Sequence, residues 1–249
     1  MQKAIDIHCH YNHGVADETI ENELYFADLE NLRKERERLN IVAACMMSSF
    51  AGVITAKHVE EENDHCRKIC KEQDWLYQWV VIDPRLPNTY KQAEKFLKDE
   101  KCLGIKIQSA SHGYEFLDYA DELFAFANEQ KAFVAMHPAE TERTVPFADK
   151  YPDMKLILAH LGNMGHINAI SWAKHGNIFT DTSGIASSQN YILEYAVEKV
   201  GADKIFFGTD TYSCAFQRGR IDYADISEED KKKILFENAK KHFKAFKDL

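Results

Sequence analysis

Short apolar runs recur along this chain, and each is followed by a segment with helical periodicity. The runs cover residues 4–10, 41–46, 76–82, 103–108, 132–137, 155–160, 178–182 and 204–210. The amphipathic segments after them cover 17–39, 59–73, 89–98, 116–129, 145–150, 165–175, 188–200 and 228 to about 247. Continuous apolar character, as from Ile41 to Met46, marks a strand buried on both faces, the condition of a parallel sheet. About eight such units, spaced by roughly 25 to 35 residues, predict an α/β fold closed into a single (β/α)8 TIM barrel rather than an open sheet. A chain of 249 residues is the usual size of that barrel, and no Pro/Gly/Ser-rich linker divides it, so one domain is expected over 1–249.

The ends of the runs carry chemistry. In Ala4-Ile5-Asp6-Ile7-His8-Cys9-His10 the two histidines stand at i and i+2, on the same face of a strand, and Asn12, His13 and Gly14 break the pattern just beyond. His137 stands before Pro138, His160 before Leu161-Gly162-Asn163, and Asp210 closes the last run. A barrel brings all strand C-termini to one face, where active sites of this fold lie, so these five side chains are expected to share one mouth. Imidazoles with a carboxylate suit Zn²⁺ and related divalent ions. Such an ion lowers the pKa of bound water from 15.7 toward ~7.

Composition narrows the partners. A formal charge of −9 argues against sequence-independent binding to nucleic acid or anionic membranes, and points to a small-molecule substrate. The first strand begins without a basic and apolar leader, and no run approaches the ~20 apolar residues of a spanning helix, so a cytoplasmic protein is expected. A homodimer is compatible with the sequence. Six scattered cysteines without a C-x-x-C pair read as reduced, buried thiols, with Cys66 and Cys70 four apart on a helix and Cys9 packed into the barrel wall.

Taken together, His8-x-His10, His137 before proline, His160 in Leu-Ala-His-Leu-Gly and Asp210 in Phe-Gly-Thr-Asp resemble the amidohydrolase superfamily, particularly its amidohydrolase-related (amidohydrolase 2) branch of metal-dependent TIM-barrel hydrolases. Asp83-Pro84-Arg85, Thr180-Asp181-Thr182-Ser183-Gly184 and Asn238-Ala239 are secondary echoes. The resemblance implies that His8, His10, His137 and Asp210 hold one divalent metal, Zn first, with Mn, Co or Fe as alternatives. It leaves His160 to polarise substrate or activate water, and Asp210 to take a proton. Lys106, a lysine inside an apolar run, admits a rival arrangement in which its carboxylated form bridges a second ion held by His137 and His160. The simpler reading has Lys106 snorkel to the mouth or meet a carboxylate such as Asp83.

The leading expectation is a hydrolase cleaving an amide, lactone or ester of a small molecule by metal-activated water. The alternatives are a nonoxidative decarboxylase of an aromatic or unsaturated acid, and a noncatalytic metal- or ligand-binding barrel. Hydrolysis leads because the loop after the second strand contains no Arg to clamp a carboxylate; Lys57 is the nearest base. Arg85, His112 and Tyr212 are the candidate substrate contacts, and Tyr212 with Phe216 and Arg218 suggests an aromatic or anionic group.

Overall fold

The protein is described from a computed structural model for residues 1–11, 28–49, 56, 58–137, 140–211 and 214–249. Eight strands follow one another around the sheet in chain order: β1 (Ala4–Tyr11), β2 (Ile41–Ser49), β3 (Leu76–Val81), β4 (Cys102–Ile107), β5 (Phe133–Met136), β6 (Lys155–Leu158), β7 (Ile178–Asp181) and β8 (Ile205–Phe206). Each neighbouring pair from β1 to β8 is parallel. The intervening helices are α1 (Leu29–Arg38), α2 (Val59–Glu72), α3 (Pro87–Phe96), α4 (Ser109–His112), α5 (Phe116–Glu129), α6 (Val145–Lys150), α7 (Met164–Trp172) and α8 (Ile192–Val200). After β8 come α9 (Cys214–Asp222), α10 (Glu228–Lys232) and α11 (Asn238–His242). This is the expected TIM barrel. No helix among the described residues is long and apolar enough to cross a membrane.

Boundaries shift where capping decides them. α1 is described from Leu29, where the Asp28 side chain accepts from the Asn31 backbone N–H at 2.9 Å, and residues 12–27, where the expected helix begins, lie outside the described set. The last helical segment is one stretch in the sequence pattern but three in the fold, with a π-helical turn at Lys233–Glu237 between α10 and α11. That turn seats Ile234 and Leu235 in the core, and the Ile234 carbonyl accepts from Phe207 N at 3.0 Å.

The barrel interior is packed rather than hollow. Ile5, Ile7, Trp79, Leu103, Phe133, Ile157, Phe179 and Phe206 fill it, and Phe243 and Phe246 join the same buried cluster. At Gly104 a Cβ would stand 2.4 Å from the Phe133 carbonyl oxygen and 2.6 Å from the Trp79 ring, so only glycine lets these two aromatic residues pack there. The Trp79 indole N–H donates to the Ile7 carbonyl at 2.8 Å. The register of β1 on β2 shifts between Asp6 and Cys9. Ile5 and Ile7 therefore pack inside the barrel, while Cys9 and Tyr11 pack outward with Leu32, Cys66 and Cys70. All six cysteines are free and buried, as expected.

Closure between β8 and β1 is brief in backbone terms and strongly polar. Ile7 N donates to the Phe207 carbonyl at 3.0 Å, and the His8 carbonyl accepts from Thr209 N at 3.1 Å and Asp210 N at 2.8 Å. Beside this seam the buried Asp6 carboxylate accepts from His8 N (3.2 Å), Thr209 N (3.0 Å), Thr209 Oγ1 (2.7 Å) and Arg36 Nη2 (2.8 Å). Four donors on two oxygens satisfy an ionised carboxylate, and Arg36 of α1 supplies its counter-charge. Arg36→Ala should cost about 3–5 kcal/mol by leaving that charge unpaired. Urea denaturation of the single variant and of Asp6→Asn/Arg36→Ala checks this, the double variant being expected to recover part of the loss.

Candidate active site

The strand ends deliver the sequence-selected side chains to one mouth. His8 and His10 come from β1, His137 follows β5, His160 lies two residues beyond β6 and Asp210 stands past β8. Asp210 Oδ1 is 3.3 Å from both His8 Nε2 and His10 Nε2. The potential ligand atoms of His8, His10 and Asp210 all lie within 4.8 Å of one another. His8 Nε2 is buried without a hydrogen bond, a lone pair facing the carboxylate. Two imidazole nitrogens and one carboxylate at this spacing fit a single divalent cation.

The imidazole rings form an arc. Centroids are 5.4 Å apart for His8 and His10, 4.9 Å for His8 and His160, and 4.9 Å for His160 and His137. Among the described residues His137 stands beside His160, outside the close trio of His8, His10 and Asp210.

A second layer fixes the rings. His8 Nδ1 lies 2.9 Å from Asp181 Oδ2, so that nitrogen donates to the carboxylate and Nε2 keeps its lone pair for the mouth. Asp181 Oδ1 accepts from His160 N at 3.1 Å, from Ser183 N at 2.9 Å and from the Ser183 hydroxyl. His160 Nδ1 is 3.0 Å from the Ser183 carbonyl oxygen and 2.9 Å from its hydroxyl. Donation from Nδ1 there turns His160 Nε2 away from the anchor. His8, His160 and Asp181 also lie within metal-ligand range of one another, but hydrogen bonds already account for that group.

Two of these residues hold unusual backbone. His160 has φ +62° and Asp210 φ +55°, in the left-handed region that costs non-glycine residues energy. Gly184 makes room for both, since a Cβ there would stand 3.0 Å from His160 Nδ1 and 3.5 Å from Asp210 Oδ2. Gly208 does the same for His8, whose Cβ would be 2.9 Å from an added Cβ.

The electrostatics keep His8, His10 and His137 neutral. Burial and the Lys106 ammonium push His8 down to about 4, against the pull of Asp181 and Asp210. Burial, Lys106 and the neighbouring rings push His137 down to about 3. Burial raises the Asp210 carboxyl, but His10, His8 and His160 together hold it below the usual carboxylate range. Asp181 is held low in the same way by His8, His160 and Ser183. Burial brings Lys106 down to about 8, although Asp210 and Asp181 favour its charge.

The other candidates divide. Arg85 donates through Nε and Nη2 to Asp83 at 2.9 and 2.7 Å, and through Nη2 to the His112 carbonyl at 2.7 Å. His112 Nδ1 is 3.6 Å from the same Asp83 carboxylate, so the three form one rim cluster. Asp83 therefore belongs to Arg85 and not to Lys106. Arg218 is buried away from substrate, donating to Asp222, Leu39 and Gln2, which corrects its reading as a contact for an anionic group. Tyr212, His13, Lys57 and Pro138 lie outside the described residues. Asp181 and Ser183 enter the sequence analysis only as part of a motif echo. Their signal was a carboxylate at the end of a strand, the same signal that singled out Asp210.

Acidification should expose this neutrality. In the metal-free protein His8 resists protonation until about 4, whereas the unfolded chain takes up that proton near 6.5. The stability it contributes is complete above 6.5 and is lost as pH falls from 6.5 toward 4, by on the order of 3 kcal/mol for His8. Chemical denaturation at stepped pH reads it. Asp181→Asn should in addition weaken divalent-metal affinity by about 10- to 100-fold while leaving the circular dichroism spectrum intact.

Comparisons with known proteins bear on the fold and the family. The 33% identical Gamma-resorcylate decarboxylase of Polaromonas sp. strain JS666 aligns over 126 residues, which is 39% of this chain and 36% of that relative's length. The 2,6-dihydroxybenzoate decarboxylase from Rhizobium superposes with a TM-score of 0.73 at 15% identity, covering 98% of this chain and 99% of that one. A dihydroxybenzoic acid decarboxylase from Polaromonas sp. JS666, solved with bound manganese and the inhibitor 2-nitroresorcinol, superposes with a TM-score of 0.72 at 16% identity, covering 98% and 97%. At those identities the superpositions show a shared fold. The Amidohydrolase family model (Amidohydro_2) matches residues 5–245, nearly the whole chain, and the protein belongs to that family.

Proposed function

We propose that this protein is a metal-dependent nonoxidative decarboxylase of a small aromatic acid. The observation that carries the reading is the trio of His8, His10 and Asp210 closed around one point, with the His160 ring beside it on its own anchor. That arrangement also suits hydrolysis, which led on sequence grounds. The decarboxylase relative at 33% identity supports decarboxylation instead.

In this reading His8, His10 and Asp210 hold the ion, with His137 as the fourth ligand by family resemblance. The donor set admits several divalent ions, and a fold relative holds manganese, so manganese rather than zinc is the first to load. When bound, the ion supplies a fixed positive charge that orients and polarises the oxygens of the acid. His160 holds the proton. Its Nδ1 is anchored on Ser183, so Nε2 is the atom that presents the proton to the ring carbon bearing the carboxylate. The carbon–carboxylate bond then breaks, its electron pair returns to the ring, CO₂ leaves, and the proton stays on carbon.

Manganese-loaded protein should release CO₂ from 2,6-dihydroxybenzoate or a related hydroxybenzoate. Asp210→Ala should lose metal and turnover together. His160→Ala should keep its metal, read by elemental analysis, and lose about 10²–10⁴ in rate. Ring or amide opening without CO₂ release would instead return the hydrolase reading.

A further inference from the structure

Among the described residues, Lys106 is a charged group in the mouth that the chemistry above leaves unused. It sits on β4, opposite Val81 of β3 and Ala135 of β5, and only 1% of it is exposed. Gly104, two residues earlier, meets the Trp79 ring and Phe133 inside the barrel. Strand alternation puts the Lys106 side chain on that same inner face, one layer nearer the mouth. There it acts electrostatically on His8, His10, His137, Asp181 and Asp210.

Among the described residues the ammonium has neither a hydrogen bond nor an ion pair. The carboxylates around it are engaged: Asp6 with Arg36, Asp83 with Arg85, Asp181 with His8 and Ser183, and Asp210 with His8 and His10. A buried ammonium without a partner is costly, and folding alone gives no reason to keep it. Arg85 is engaged by Asp83 and the His112 carbonyl.

We propose that Lys106 remains a free ammonium and receives the carboxylate of the substrate, so that the mouth selects small carboxylic acids over neutral amides, esters and lactones. The carboxylates of Asp181 and Asp210 face the imidazoles around the metal position, and the Lys106 ammonium adds a positive charge for an anionic ligand to meet. A carboxylated Lys106 bridging a second ion would replace that positive charge with a negative one and remove the receptor. The acid-substrate side of the proposal rests on the function proposed above, whereas the state of the lysine does not.

Lys106→Met tests it without knowledge of the natural substrate. Removing an unpartnered buried charge should leave the melting temperature of the metal-free protein unchanged or raise it; a clear drop means the lysine has a structural partner and overturns the proposal. In manganese-loaded protein, calorimetry with 2,6-dihydroxybenzoate and its neutral amide should show the wild type preferring the acid, and Lys106→Met losing about tenfold or more of that preference while retaining its metal. Equal preference in both proteins, or no binding of the acid by the wild type, overturns it. So does a carbamate resonance in ¹³C-bicarbonate NMR that vanishes in Lys106→Met. Loss of acid preference in the variant, with no CO₂ released by the wild type, would uphold the receptor and sink the decarboxylase. CO₂ release with an unchanged preference would do the reverse.

Discussion

The Asp6 carboxylate joins the two ends of the barrel, and the site stands directly on that join. One of its oxygens accepts from both His8 N and Thr209 N, which fixes the start of the mouth-facing segment of β1 against the residue before Asp210. β8 is only two residues long, so side chains supply what its ladder lacks. Thr211 continues the seam by accepting from His10 N at 2.6 Å and donating to the His10 carbonyl at 2.8 Å. The separation of His8, His10 and Asp210 is therefore set by a polar seam whose geometry is tighter than apolar packing alone enforces. Burying the Arg36–Asp6 pair is weak evidence for stability, but here it specifies one register.

Strain gathers where the strands let go. His160, Asp210 and Thr211 all have positive φ, and all follow strand ends at the mouth. Each is over-determined by its neighbours: His160 by Asp181 and Ser183, Asp210 by the His8 carbonyl, Thr211 by His10. This is the pattern expected when local conformational energy is spent on aiming side chains rather than on the backbone's own preference. Gly184 and Gly208 provide the space that makes such aiming feasible.

Much of this was legible in the chain. Strands buried on both faces announce themselves as apolar runs, and a histidine or aspartate ending such a run is conspicuous because nothing in the core needs it. His8, His10, His160 and Asp210 were found that way, and the barrel gathers them. Asp181 and Ser183 stand in the sequence only as a motif echo, because their part depends on which nitrogen of His8 carries a proton, a contact across 173 residues. Arg85, a candidate substrate contact in the sequence, is paired in the fold with Asp83 two residues earlier. Arg218 looked near the mouth from its place after β8, yet α9 turns it to the carbonyls of Gln2 and Leu39.

Reaction type is the hardest property to read, because hydrolysis and decarboxylation ask for the same trio and differ in what the remaining groups must do. A hydrolase needs a base free to take a proton from water. Asp210 Oδ1 lies 3.3 Å from the Nε2 atoms of both His8 and His10, the position of a metal ligand. A decarboxylase needs an acid held still against carbon and a pocket that tolerates the charge of its substrate. His160 is anchored at Nδ1 and at its backbone N–H, and the nearest unpaired charge among the described residues is positive. An amide or lactone entering this mouth would leave that charge buried and uncompensated, whereas an acid brings its own counter-ion. If Lys106 receives the substrate as proposed, it is the electrostatics of the wall, and not the metal ligands, that separates the two reactions.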